Sequence, residues 1–437
     1  MTDALPEGFV TAQLGAGYEP GAVAQQTVAV PIHQSSAYQF HSLRQARERF
    51  ALREKGFIYS RNSHPTQAVL EQRVAALEDG VAAAATGSGQ AATAVATLAL
   101  AGHGGHIVAA SQLYGGTVDL FHDTLADFGI DVTFVDQDDL NAWHDAVRPQ
   151  TRAFFAESVA NPVAQVLDMA AVAEIAHAAG VPLVIDNTVA TPALLRPKRF
   201  GADIVVHSAT KFLGGHGTSL AGVVVDLGTF DFGAQPERWP ALTEPHWRFG
   251  GVPLWEAFGR EGAFTTLVKS KYIADLGPAL SPFNAFQIIE GIETLNLRVD
   301  RHAASGLAVA RFLSRHPAVA AVHHPGLDSS PWHPLADRYL PRGVPSVFAF
   351  ELESMGDDEA DYARAEAVID ALRVIRLVAN IGDARSLACH PATMTHNHLT
   401  RDQLSAAGIS YATVRLSVGL EDPSELIADL AQALDRL

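Results

Sequence analysis

The feature that most constrains the fold of this chain is a series of seven short apolar stretches, at 82–86, 106–110, 131–135, 153–157, 182–187, 204–207 and 223–226. Helical patterns lie between several of them, as at 169–179, and one precedes them at 65–79, where Val69, Leu70, Val74 and Leu77 recur at amphipathic spacing behind Pro65 and Thr66, the expected N-cap. Short apolar strands punctuated by helices imply a parallel sheet covered on both faces.

Around that block the chain divides unevenly. Residues 1–60 show little periodicity and suggest an extended arm. A large domain is expected over 61–283, and 227–256, rich in Pro, Trp and Gly, suggests a long functional loop within it. Helical patterns resume at 257–276 and 284–315. Strands near 345–353 and 413–419 and helices near 357–372 and 423–436 predict a smaller α+β domain over 284–437.

The 437 residues carry a net charge of −17, which argues against nucleic acid or an anionic membrane surface as partner. The single cysteine, Cys389, rules out an internal disulfide, and neither a signal peptide nor a membrane span is apparent. A cytoplasmic protein is expected.

The chemistry concentrates where strands end. Val181-Pro-Leu-Val-Ile-Asp186-Asn-Thr188 is an apolar strand closed by a carboxylate, at the sheet edge where ligands bind. A second strand then ends in Ser208-Ala-Thr210-Lys211, followed by glycines. A lysine among small hydroxyls suits a Schiff base beside a phosphate, and an acid one strand away suits a pyridinium nitrogen. Together these are the requirements of pyridoxal phosphate (PLP). A second half of the phosphate cup is expected at Gly87-Ser88-Gly89-Gln90, where a strand turns into a helix N-terminus. Tyr114 is placed to stack on the ring and to act as an acid or base, and Asn161, just past a strand end, to reach its phenolic oxygen.

The blocks Tyr59-Ser-Arg61, Gly87-Ser-Gly-Gln90, Tyr114-Gly-Gly-Thr117, Asp186-Asn-Thr188, Ser208-Ala-Thr-Lys211 and Val414-Arg-Leu-Ser-Val-Gly419 resemble, in order and over nearly the whole chain, the Cys/Met-metabolism family of PLP enzymes. The segments 276–286, 291–295 and 379–387 resemble its O-acetylhomoserine sulfhydrylase branch most. The resemblance implies the type I fold of PLP-dependent transferases, with a mostly parallel sheet in the large domain. It implies Lys211 as the cofactor lysine and proton shuttle, Asp186 on the pyridine nitrogen, Tyr114 stacked on the ring and Asn161 at its phenolic oxygen and near the substrate. Ser88, Gly89, Gln90, Ser208 and Thr210 would hold the phosphate, joined by Tyr59 and Arg61 of a neighbouring subunit in a homotetramer. Arg415, helped by Ser386, would grip the substrate α-carboxylate. The implied reaction is γ-replacement on O-acetyl-L-homoserine by sulfide or a small thiol, giving homocysteine or methionine and acetate in methionine biosynthesis.

The chain departs from the family's pattern at His64, where Asn is usual, and in the stretch 243–250. Activity of the cystathionine γ-synthase or methionine γ-lyase type, or a specialised nucleophile, is the alternative. Against the first stands Arg385, where cysteine-using relatives tend to place Glu; against the second stands Gly116, where the lyases carry Cys. His390, His396 and His398 lack a companion ligand set, so no metal is expected.

Overall fold

The computed structural model describes Leu5 and residues 7–437. The seven strands are β1 (Ala82–Thr86), β2 (His106–Ala110), β3 (Asp131–Val135), β4 (Thr151–Glu157), β5 (Leu183–Asp186), β6 (Ile204–Ser208) and β7 (Gly222–Asp226), in one sheet ordered β1-β7-β6-β5-β4-β2-β3. Their central residues, such as Phe154, Phe155, Val184 and Ile185, are buried, because helices cover both faces and only continuous apolar strands tolerate that position. The sheet is mostly parallel, as the resemblance implied, with one strand as the exception. β7 runs antiparallel to both β6 and β1, whereas the other pairs are parallel. A parallel return ordinarily requires a crossover helix, and residues 209–221 form none.

The smaller domain holds a five-stranded sheet, β8 (Val319–His323), β9 (Val347–Leu352), β10 (Arg376–Leu377), β11 (Leu387–Cys389) and β12 (Thr413–Ser417), ordered β10-β11-β12-β9-β8. Only β9 and β12 were legible beforehand. β10 and β11 span two and three residues, too few to show a period, and β8 is only partly buried.

Four expectations change. The arm is not extended throughout. It contains α1 (Phe9–Gly15) and α2 (Leu43–Phe50), and α1 is anchored by buried Phe9 and by Gln13, whose amide donates to the Glu293 carbonyl at 3.0 Å and to Asn296 Oδ1 at 2.8 Å. The helix α3 (Pro65–Leu77) is buried on most sides rather than amphipathic, and its cap is His64, not Thr66. With proline at N1 the preceding residue becomes the cap. His64 Nδ1 accepts from the Gln67 N–H at 3.1 Å, and Thr66 Oγ1 donates instead to the Pro31 carbonyl. The 284–315 pattern is two helices, Pro282–Glu293 and Leu295–Leu313, parted at Thr294. Finally, 227–256 is a string of short helical turns around Phe230, Phe232, Trp239 and Trp255, with ring centroids 4.9–5.9 Å apart. Aromatic packing supplies the order that periodicity did not reveal.

No helix among the described residues is long and apolar enough to cross a membrane.

Candidate active site

Four strands running in one direction end at one edge of the large sheet, and residues at or just past their ends face a cavity of about 180 Å³. β1 leads through Gly87 into α4 (Gly89–Ala101), β4 ends in Glu157, β5 in Asp186, and β6 leads through Ser208 to Lys211. The smaller domain closes the other side with Asn380 from a loop and Arg415 from β12.

The anion cradle is built by the backbone. Ser88 caps α4, its Oγ accepting from the Ala91 N–H at 3.2 Å. The next amides, of Gly89 and Gln90, have no partner among the described residues and lie at the positive end of the helix. A Cβ on Gly89 would sit 2.5 Å from Ser208 Cβ, so only glycine lets α4 close on the β6 end. Ser208 is positioned by Thr188, whose Oγ1 accepts the Ser208 N–H at 2.8 Å. Thr210 lines the cavity while its hydroxyl exchanges hydrogen bonds with the Ala221 backbone at 3.1 and 3.2 Å.

Lys211 lines the same cavity, next in sequence to Thr210. Lys211 Nζ donates to Asn380 Oδ1 at 2.5 Å. Burial, aided by the nearby Arg415 guanidinium, lowers its pKa to about 8. An amine poised there is neutral often enough near physiological pH to attack an aldehyde. Asp186 accepts the Thr188 N–H at 2.9 Å, and burial pushes its carboxyl above the usual range. Glu157, its register partner on β4, is pushed well above that range by burial and by the Asp186 charge. Arg415 on β12 is buried, donating to Asn161 Oδ1 at 3.3 Å and to the Asn380 carbonyl at 3.0 Å, with Nε unpartnered.

Pyridoxal phosphate fits this set: unpaired helix amides for a phosphate, a lysine of lowered pKa for the aldehyde and a half-buried carboxylate for the ring nitrogen. Lys211, Asp186, Tyr114, Asn161, Ser88, Gly89, Gln90, Ser208, Thr210 and Arg415 all line the cavity. Three expected residues do not. Ser386 is buried elsewhere, donating to Glu421 Oε2 at 2.8 Å and accepting from the Gly419 N–H at 2.7 Å. Its hydroxyl is thereby committed to the protein, which corrects its assignment to the substrate carboxylate. Tyr59 and Arg61 lie on the surface of the arm, with the guanidinium 5.5 Å from the tyrosine ring and Nη1 donating to the Ala274 carbonyl.

Glu157, Asn380 and Thr188 were missed as site residues. Glu157 carries the same signal as Asp186, a carboxylate closing an apolar strand, and could have been found by it. Asn380 stands in a loop of the smaller domain with nothing local to mark it. Gly116 has a steric reason: a Cβ there would lie 2.7 Å from the Tyr114 ring. Among the histidines, His396 is buried against Thr395 and held neutral with a pKa of about 4, and no metal-binding cluster occurs among the described residues.

A family model for the Cys/Met metabolism PLP-dependent enzymes matches residues 10–435. An O-acetyl-L-homoserine sulfhydrylase of Leptospira meyeri is 44% identical, the match covering 100% of this chain and 99% of the relative. A homocysteine synthase of Schizosaccharomyces pombe is 43% identical, covering 98% of each. A solved structure assigned as an O-acetylhomoserine (thiol)-lyase of Campylobacter jejuni, bearing a pyridoxyl-lysine phosphate, superposes with a TM-score of 0.91 at 36% identity, covering 98% of this chain and 99% of that one.

Proposed function

Because this chain belongs to the Cys/Met metabolism family of PLP-dependent enzymes, we propose that it catalyses γ-replacement on O-acetyl-L-homoserine by sulfide, releasing acetate and forming L-homocysteine. The observation that carries this reading is the meeting, in one cavity, of a lysine of lowered pKa, a half-buried aspartate and a buried arginine from the other domain.

Bound pyridoxal phosphate supplies the electron sink that lets Cα and Cβ of an amino acid release protons, which loss of an ester from Cγ requires. The chain supplies the rest. Ser88, Gly89, Gln90, Ser208 and Thr210 hold the phosphate, and Asp186 keeps a proton on the ring nitrogen. Tyr114 covers one ring face and Asn161 stands by the phenolic oxygen. Arg415 receives the substrate α-carboxylate through two parallel N–H groups, a contact suited to planar guanidinium. Lys211 Nζ takes the proton from Cα and carries protons at Cβ. Closure of both domains around the cavity keeps water from the reacting carbons.

The choice of sulfide follows from Arg385, which is held by Asp383 at 2.8 Å and by the His216 carbonyl at 2.7 Å. A cation in that place offers nothing to the ammonium of cysteine. Purified enzyme given O-acetyl-L-homoserine with equal concentrations of sulfide, methanethiol or cysteine should make homocysteine fastest. Faster cystathionine formation would favour the γ-synthase reading, and no thiol-dependent acetate release would defeat the assignment.

Assembly is the second part of the proposal. Tyr59 and Arg61 are exposed and stand outside the cavity of their own chain. Each site is completed by these residues from a partner, in a homotetramer of two such dimers. The Arg61 guanidinium adds the countercharge that a phosphate on one helix N-terminus still lacks. Inactive Arg61→Ala and Lys211→Ala proteins, mixed under conditions of subunit exchange, should recover up to about a quarter of wild-type activity, since half the dimers are mixed and each has one complete site. Exchange without recovery would place Arg61 in its own chain's site.

A further inference from the structure

Glu157 is the one carboxylate in the cavity wall to which the reaction above gives no task. It is buried, it ends β4, and its register partner across β5 is Asp186. Two carboxylates side by side, away from water, oppose each other's ionisation. Such a pairing is costly to keep, so what Glu157 touches matters. One oxygen, Oε1, accepts the backbone N–H of Tyr114 at 2.6 Å, and the other, Oε2, accepts the backbone N–H of Asn161 at 3.1 Å. The two residues stand 47 positions apart, on the loops that follow β2 and β4. Asn161 in turn accepts from Arg415 Nη1 at 3.3 Å.

The Tyr114 carbonyl accepts the N–H groups of Thr117 and Val118 at 2.7 and 3.1 Å, but among the described residues no other side chain holds the residue by a hydrogen bond. The residue is 43% exposed, and no hydrogen bond of its hydroxyl occurs among the described residues. The carboxylate is therefore the main side-chain tether on the residue that covers the ring. We propose that Glu157 is a positioning residue, a single buried carboxylate that sets Tyr114 over the cofactor ring and Asn161 beside its phenolic oxygen by gripping both backbones at once. The proposal rests on the cofactor site described above and is independent of which ester or nucleophile reacts there. The chemistry selects glutamate: a carboxylate accepts at both oxygens, and charge-assisted hydrogen bonds are roughly twice as strong as neutral ones. Glutamine has the same shape but must turn its NH₂ toward one of the two N–H groups. Aspartate keeps the charge but is one methylene too short to reach both loops.

The test needs no amino-acid substrate. Cofactor-free wild-type, Glu157→Gln and Glu157→Asp proteins are titrated with pyridoxal phosphate, and the dissociation constant and the visible circular dichroism of the bound cofactor are recorded. That dichroism reports how rigidly the surroundings hold the chromophore. Both variants should bind about tenfold more weakly, the loss of one charge-assisted bond, and show a reduced dichroic band at saturation. A merely structural role would lower the melting midpoint of the cofactor-free protein but leave affinity and dichroism intact. A dissociation constant within about twofold of wild type together with an unchanged band would overturn the proposal. If Glu157→Gln does not fold, Glu157→Asp alone decides, because wild-type behaviour there would mean that charge rather than reach is what the site needs.

Discussion

Lys211→Ala protein is expected to lose the visible absorbance of lysine-bound pyridoxal phosphate and at least about 10⁴-fold in turnover, because one substitution removes both the covalent anchor and the proton carrier. The surroundings of Lys211 make a further, quantitative expectation possible. It is half-buried near Arg415, and although Asn380 Oδ1 accepts from its ammonium at 2.5 Å, desolvation dominates and brings the pKa to about 8 from 10.5. Only the neutral amine attacks an aldehyde. Capture of the cofactor by cofactor-free wild-type protein should therefore accelerate as pH rises and level off above about 8, not above the ordinary lysine value. Stopped-flow absorbance across pH 6–10 reads this out, that range being about two units either side of the midpoint. A rate still climbing steeply at the top of the range would mean that burial does not tune the lysine. Lys211→Ala activity within tenfold of wild type would remove it from the mechanism.

Asp186→Asn is expected to keep the fold and the cofactor while losing about 10³-fold in kcat. Asparagine has the same shape, and its Oδ1 can still accept the Thr188 N–H that now bonds the aspartate at 2.9 Å. What it cannot do is hold a positive charge on the ring nitrogen. The ring then ceases to draw electrons from Cα, and every proton loss in the reaction slows. The companion variant Glu157→Gln locates the acid. If Asp186→Asn retained full activity while Glu157→Gln were inactive, the ring nitrogen would face the neighbouring strand end, a displacement of one strand across the sheet.

The positions of the strands were legible because each is a short, mostly apolar run, and for all but the half-exposed edge strand β3 burial on both faces leaves no other composition open. The place of Lys211 and Asp186 in the cavity was legible for a related reason: a charged residue closing such a run can only lie at the sheet edge. The direction of β7 was not legible. It depends on how residues 209–221 return the chain, and a loop without a helix carries no periodic signal. The same limit hid the true cap of α3, where His64 substitutes for a hydroxyl residue through a ring nitrogen that accepts the Gln67 N–H.

Within the site, local sequence singled out Lys211, Asp186 and the Gly87–Gln90 turn, because each stands where strand or helix geometry gives its group a use, and the family resemblance singled out Arg415; the cavity brings them together. Tertiary structure alone decided which neighbours complete them. Asn380 reaches Lys211 from 169 residues away, Glu157 ties two loops of the large domain together, and Ser386 turns from the cavity to Glu421. Patterns along a chain report which face of an element is buried. They do not report where two distant loops meet, and a hydrogen bond only ~3 Å long exists or not on that meeting alone.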